Sequence, residues 1–294
     1  MKWATAVKHG EDFIGLVKEE KIVNVSELAK SREMEFPTTL LEAIALGDEF
    51  LEKVESLIHS DLVANHTYEL HEIQLKAPIP RPGKNVFCIG KNYRDHAIEM
   101  GSEADIPEDI MVFSKAPTSV IGHDEGVPSH SSITNQLDYE GELAIIIGKT
   151  GTSIEKEEAM DHVFGFTIIN DITARDLQQK HKQFLLGKSL NGTCPMGPWI
   201  VHQSEVPNPD NLSIVTKVNG EVRQNGNTSD FIFDIPTMIN ELSKGMTLEA
   251  GDIIATGTPA GVGKGMKPPV FLKPLDVIEI TIEGIGTLRN EIVE

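Results

Sequence analysis

The sequence predicts an α+β fold that is mainly β. Three observations point there. Short apolar runs broken by Gly, Pro and Asn dominate the chain after residue 83, segments of helical period are few, and a Pro-rich stretch separates a smaller N-terminal part from the rest. The expected organisation is a small N-terminal α+β domain over residues 1–75, a linker over 76–83, and a β-rich sandwich or barrel over 84–294.

Each element has a local reason. KWATAV and FIGLVKEEKIVNV alternate in polarity, with turns at His9-Gly10-Glu11-Asp12 and from Lys18 to Lys21, as strands of a hairpin do. Pro37 and Thr38 can open a helix through TLLEAIALG, and Gly47 can close it. Asp48 to His59 places Phe50, Leu51, Val54, Leu57 and Ile58 on one helical face. Pro78, Pro80 and Pro82 exclude helix from the linker. Strand-like runs follow: NVFCIG, IMVFSK, ELAIIIG, VFGFTIIN, PWIVHQ, LSIVTKVNG, DIIATG and VIEITIEGIGTL. Val218-Asn219-Gly220-Glu221 reads as an Asn-Gly hairpin turn. Helices are expected at Asn92 to Met100, through Asp171 to Phe184, and at Ile235 to Lys244. There is no internal repeat or low-complexity segment.

The 294 residues are enough for one large domain or two smaller ones. Hydrophobic and charged fractions of 39% and 24% are those of a soluble protein. The net charge of −19 argues against nonspecific nucleic-acid binding and against docking on anionic membranes. Cys88 and Cys194 are far apart and lack a CxxC partner, which suits a reducing compartment. MKWATAVKHGEDF has no apolar core of signal-peptide length, and no run reaches membrane-spanning length. A soluble, cytoplasmic protein is expected.

The chemistry begins at Glu140-Gly141-Glu142. On a strand, residues two apart face the same way, about 7 Å apart along the backbone. Glu140 and Glu142 would then aim two carboxylates at one point. The following AIIIG run is apolar on both faces, so this strand is expected to be buried rather than to offer its glutamates to solvent. Gly141 removes bulk where something approaches closely. Asp171 ends the next apolar run, FGFTIIND. Three carboxylates suit a hard divalent cation such as Mg²⁺, Mn²⁺ or Ca²⁺. Lys188 would balance the remaining charge and leave a place for an anionic substrate. His96 and Glu99, three apart, share a helix face, so the carboxylate can orient the imidazole as a base; an ordinary surface pair has the same spacing. The Gly-rich stretches Gly187 to Gly197 and Thr256 to Gly265 can present backbone N–H groups to a carboxylate, but neither contains GxxxxGK(S/T), so a nucleotide phosphate loop is excluded.

GKNYRDHAIEMG, QLDYEGELAIIIG, NDITARDLQ, GKSLNGTCPMGP, VNGEVRQ and ATGTPAGVG, in this order, resemble the fumarylacetoacetate hydrolase family over about residues 83 to 292. Within it, the motifs and the N-terminal segment resemble an oxaloacetate decarboxylase type of bacilli. The resemblance implies a mixed β-sandwich roll, a homodimer, and a Mg²⁺ or Mn²⁺ ion held by Glu140, Glu142 and Asp171. It makes Lys188 the active-site lysine, Gln178, Thr258 and Arg175 the substrate-binding residues, and His96 with Glu99 a lid dyad. Where many members read KSxDT, this chain has Lys188-Ser189-Leu190-Asn191-Gly192, which bears on loop geometry and substrate preference.

The expected reaction is cleavage of a C–C bond in a small anionic 2-oxo acid through a metal-stabilised enolate, with oxaloacetate decarboxylation to pyruvate first. Acylpyruvate hydrolysis, with His96 activating water, and tautomerisation or isomerisation of a 2-oxo diacid use the same parts. A metal-binding interaction protein with the family fold is the non-catalytic alternative.

Overall fold

The computed structural model describes residues 1–294. The chain opens with β1 (Lys2–Lys8), β2 (Glu11–Lys18) and β3 (Lys21–Asn24), paired antiparallel as the alternation predicts. A helix that the sequence reading did not anticipate follows, α1 (Val25–Ser31). Its signal is present: Asn24 Oδ1 accepts from Glu27 N at 2.9 Å, a side-chain cap that ends the strand. The expected helices are α2 (Leu40–Leu46), capped at Thr39 by a reciprocal bond with Glu42, and α3 (Asp48–Ile58). Short strands β4 (Thr67–Glu69) and β5 (Gln74–Leu75) complete this part.

Residues 76–83 are irregular but packed: Ala77 and Ile79 are buried, and the Thr5 hydroxyl donates to the Pro78 carbonyl at 2.7 Å. Next come β6 (Val86–Gly90), α4 (Arg94–Glu99), β7 (Met111–Lys115), β8 (Val120–Ile121), β9 (Val127–Pro128), β10 (Leu137–Asp138), β11 (Gly141–Ile147), β12 (Val163–Asn170) and β13 (Thr173–Ala174). The helix expected through Asp171 to Phe184 is shorter and divided. Thr173 and Ala174 are taken by the β10–β13 ladder, so α5 spans Arg175–His181. Lys182, at φ 59°, stops it, and α6 (Leu185–Lys188) puts Lys188 on a helical turn rather than in a loop. The chain ends with β14 (Cys194–His202), β15 (Ser213–Val218), β16 (Glu221–Asn227), α7 (Ile235–Ser243), β17 (Ile253–Ala255), β18 (Val277–Ile282) and β19 (Gly286–Val293). Asn219 and Gly220, at φ 52° and 80°, make the β15–β16 turn that the Asn-Gly pair predicts.

The large sheet runs β4-β3-β2-β1-β14-β12-β11-β17-β6-β7. It is mixed: β17 and β6 are parallel, whereas β11 pairs antiparallel with both neighbours. A second sheet runs β16-β15-β18-β19-β9. Strand β11 is buried along its whole length. Leu143, Ile145 and Ile147 pack towards Ile214, Ile280 and Leu288 of the second sheet and towards α7, while Ala144 and Ile146 join Leu28, Ile44 and Phe50 on the other side. This two-sided cover makes the run read as continuously apolar.

Register then places the acidic residues. Gly141 lies opposite Asn170 on β12, so Asp171 arrives beside Glu140 and its N–H donates to the Glu140 carbonyl at 2.8 Å. Ala144 lies opposite Ala255 on β17, which brings Gly257 beside Glu142. The strand itself begins at Gly141, with Glu140 just before it. Gly141 is needed for the other face: a Cβ there would stand 2.3 Å from Thr216 Oγ1 and 3.0 Å from Ile280 Cγ2. The close approach is by the second sheet.

Candidate active site

Glu140, Glu142 and Asp171 meet at the paired ends of β11 and β12, each with a carboxylate oxygen within 4.8 Å of the others. With Asp138, Lys115, Arg175 and Lys188 they form a cluster whose members are only 0–4% exposed. Lys188 Nζ lies 2.6 Å from both Glu140 Oε2 and Asp171 Oδ2. Arg175 Nη2 lies 2.7 Å from Glu140 Oε1, and its Nε donates to Asp138 Oδ2 at 2.9 Å. Lys115 Nζ donates to the Ile172 carbonyl at 3.0 Å and faces Asp171 Oδ1 at 2.8 Å, an ion contact without hydrogen-bond alignment.

Glu142 is the exception. No cation of the protein pairs with it, and Oε2 accepts only the Gly257 N–H, at 2.9 Å. Burial first, then the charges of Asp171 and Glu140, pushes its carboxyl well above the ordinary range. Glu140 goes the other way: Lys188 and Arg175 outweigh the cost of burial and hold it low. Burial disfavours the Lys188 ammonium, yet Asp171 and Glu140 more than offset this and raise its pKa.

These residues fit a divalent cation. Oxygen donors converge, one of them, Asp171 Oδ1, takes no aligned hydrogen bond, and Glu142 is a buried carboxylate without a counter-charge. Four carboxylates against three basic side chains leave one negative charge; a divalent ion turns this into one positive charge, suited to an anionic ligand.

The cluster opens into a cavity of about 310 Å³ that is also lined by His96, Gln178, Thr258, Lys264 and an apolar patch of Met100, Met111, Phe113 and Phe184. Thus His96, Arg175, Gln178, Lys188 and Thr258, singled out in the sequence, all reach one space with Glu140 and Glu142. Gln178 Oε1 lies 3.4 Å from Arg175 Nη1, which leaves its amide N–H groups for a ligand. Thr258 is more constrained: its hydroxyl donates to the Gly141 carbonyl at 2.9 Å and accepts from Gln224 Nε2 at 2.7 Å.

His96 Nδ1 stands 3.4 Å from Glu99 Oε2, a long contact. Glu99 is held more firmly by the Gly-rich loop, where Gly261 N–H donates to both of its oxygens at 3.0 and 3.1 Å. The stretch from Thr256 to Gly265 is expected from its sequence to present backbone N–H groups to a carboxylate. Its N–H groups do reach carboxylates, but those of the protein: Gly257 serves Glu142, Gly261 serves Glu99, and Gly263 and Lys264 serve Asp138 at 2.7 and 3.0 Å. Gly257 is required there, since at φ +97° a Cβ would also stand 2.8 Å from Asn92 Cβ. In the other Gly-rich stretch, the Asn191 carbonyl contacts His130 Nε2 at 2.8 Å, so this departure from the family pattern is anchored by its backbone.

The sequence reading missed Lys115, Asp138 and Gln224. Asp138 lay in the quoted QLDYEGE motif and Gln224 in VNGEVRQ, but no spacing rule marks either. Lys115 closes IMVFSK and reaches Asp171 only because the sheet order sets β7 beside β6.

Comparison with known proteins agrees with this geometry. Residues 85–293 match the Fumarylacetoacetate (FAA) hydrolase C-terminal family. The chain belongs to the fumarylacetoacetate hydrolase family. Among family relatives, oxaloacetate tautomerase YisK of Bacillus subtilis is 58% identical over a 300-residue alignment that covers 99% of this chain and 100% of the relative. A fumarylacetoacetate hydrolase from Exiguobacterium antarcticum superposes with a TM-score of 0.85 at 44% identity, covering 100% of this chain and 99% of that one. A 2-hydroxyhepta-2,4-diene-1,7-dioate isomerase from Mycobacterium marinum superposes with a TM-score of 0.74 at 29% identity, covering 100% and 98%. The family fold is the mixed α/β roll seen here, and the chain is an enzyme of this family.

Proposed function

We propose that this enzyme acts on oxaloacetate by driving negative charge onto its C2 oxygen, with Mg²⁺ or Mn²⁺ held by Glu140, Glu142 and Asp171. The observation that carries the reading is Glu142, a buried carboxylate with no protein cation, beside two carboxylates that have theirs. Bound there, the divalent ion would supply Lewis-acid stabilisation of the charge that develops at the C2 oxygen. Lys188 has one ammonium N–H beyond those facing Glu140 and Asp171, and it would add positive charge at the same oxygen. Gln178 would orient the substrate through its free amide donors.

Two outcomes share this half of the chemistry. In tautomerisation a C3 proton leaves and a proton arrives at the C2 oxygen, giving the enol. In decarboxylation the C3–C4 bond breaks and CO₂ departs. Tautomerisation is favoured by the activity named for the B. subtilis relative and by His96 in the cavity, whose Nε2 is free of the Glu99 contact and can carry the C3 proton. Decarboxylation, the first expectation from sequence, is favoured by the apolar patch of Met100, Met111, Phe113 and Phe184, which suits a departing CO₂. As further proposals, the protein works in the cytoplasm as a homodimer, and residues 1–75 form a covering module on the catalytic part.

The test is a substrate panel with Mg²⁺ and Mn²⁺. Keto–enol interconversion and pyruvate release are followed for oxaloacetate, and hydrolysis for acetylpyruvate, with the free-metal rate subtracted. Metal-dependent turnover of oxaloacetate is expected. Turnover of acetylpyruvate alone would replace this reading with the hydrolase one, and turnover of neither would end it.

A further inference from the structure

We propose that Lys264 determines specificity for dicarboxylates by pairing with the substrate carboxylate that lies beyond C3. This rests on the 2-oxo acid reading above and narrows it to diacids.

Three observations converge on Lys264. It lines the cavity that holds Glu140, Glu142, Lys188 and Gln178. Its backbone is fixed: the N–H groups of Gly263 and Lys264 both donate to Asp138, and the same carboxylate accepts from Arg175 Nε, so one buried acid anchors both basic residues of this wall. Its ammonium has no carboxylate of the chain within ion-pair distance, whereas Arg175, Lys115 and Lys188 all do. Burial, and then the neighbouring Arg175, lowers its pKa, and Asp138 offsets this only in part, so the charge stands there at a cost. In a chain of net charge −19, an unpaired half-buried cation beside a divalent-ion site is matched to an outside anion.

The charge balance supports this. The acidic cluster with a divalent ion carries one positive charge, enough for the carboxylate next to the ketone. A second carboxylate needs a second cation. Lys91 already faces Asp105 at 3.5 Å, and Lys182 is exposed at the rim. Holding the distal carboxylate also keeps it from leaving as CO₂, because loss of CO₂ would strip the charge from that ion pair. Lys264 thereby favours C3–H over C3–C4 cleavage.

The experiment uses the full-length Mg²⁺ protein. Calorimetric affinities are measured for malate and lactate, which keep the 1-carboxylate and 2-oxygen, cannot enolise, and differ in the distal carboxylate. Kinetics on oxaloacetate follow in parallel, for wild type, Lys264→Met, Lys264→Arg and Lys182→Met. For Lys264→Met the malate affinity and the oxaloacetate kcat/KM are expected to fall about 10- to 100-fold, mostly through KM, with lactate affinity unchanged and Lys264→Arg restoring malate. Equal losses for malate and lactate would make Lys264 a scaffold residue and overturn the proposal. So would an unchanged malate affinity, with Lys182→Met then showing the loss, or a wild type that binds malate no better than lactate. If malate selectivity depends on Lys264 but oxaloacetate is not turned over, the specificity inference stands and the proposed reaction falls.

Discussion

At the acidic end of the cavity, Lys115, Arg175 and Lys188 each face carboxylates of the chain, within 2.6–2.9 Å. On the loop side, formed by α4 and residues 256–265, Lys264 faces none and His96 meets Glu99 only at 3.4 Å. The acidic end is internally neutralised except at Glu142. The loop side uses its backbone N–H groups to fix itself to Glu142, Glu99 and Asp138, which leaves side chains available. On the proposed chemistry, the difference separates two tasks: one end would stabilise charge on a bound oxygen, and the other would select which substrate and which bond.

The largest expected effect tests the acidic end. Glu142→Ala is expected to lower metal-dependent activity at least about 1,000-fold and to abolish saturable Mn²⁺ binding in calorimetry. In chelated protein, Glu142→Gln should do the opposite to stability and raise Tm by about 2–4 °C, since it removes a buried carboxyl whose ionisation burial, Asp171 and Glu140 all oppose. A lowered Tm would mean that the Glu142 carboxyl stabilises the metal-free protein.

Next, Asp138→Ala removes the acid shared by the two regions, leaves Arg175 with Glu140 alone and leaves the Gly263 and Lys264 N–H groups without their acceptor. A loss of about 3–5 kcal/mol in denaturant unfolding is expected, with weaker malate binding because the Lys264 backbone is released. If stability falls while malate affinity holds, the loop side is anchored independently of Asp138.

His96→Ala separates the two reactions. Tautomerisation should fall about 100-fold or more with little change in KM, while metal-dependent decarboxylation persists. Equal loss of both would place His96 with the charge-stabilising groups.

The smallest effect lies outside both regions. Burial lowers the His123 pKa despite Asp124, and Arg289 N–H donates to its Nδ1 at 3.1 Å, a bond that needs the neutral ring. Because the folded pKa lies below the unfolded 6.5, this contribution is present above about pH 6.5 and is lost as pH falls through the folded value. His123→Asn should narrow the Tm drop between pH 7 and pH 5 by about 2 °C. An unchanged drop would assign it to other groups.

Much of the acidic end was legible in the sequence because its logic is local. Period-two spacing aligns Glu140 and Glu142, and Asp171 closes an adjacent apolar run that pairs in register with them. The hairpins and α2, α3, α4 and α7 were legible for the same reason. The missed parts depend on distant pairings. Lys115 joins through strand order, and Asp138 gains its role from a loop more than a hundred residues later. The helix expected over Asp171 to Phe184 failed at its start because β10 claims Thr173 and Ala174, a demand that helical periodicity cannot register. The Gly-rich loop was read as carboxylate-binding, and its N–H groups do bind carboxylates, but composition does not say whose carboxylate is bound.

C3–H exchange of oxaloacetate in D₂O, followed by NMR with wild type and Glu142→Ala at matched Mg²⁺ and with the free-metal rate subtracted, tests the role of the acidic end most directly. The proposed chemistry predicts Mg²⁺-dependent exchange in the wild type and none in the variant. Equal exchange in both, or wild-type exchange that survives chelation, would contradict it.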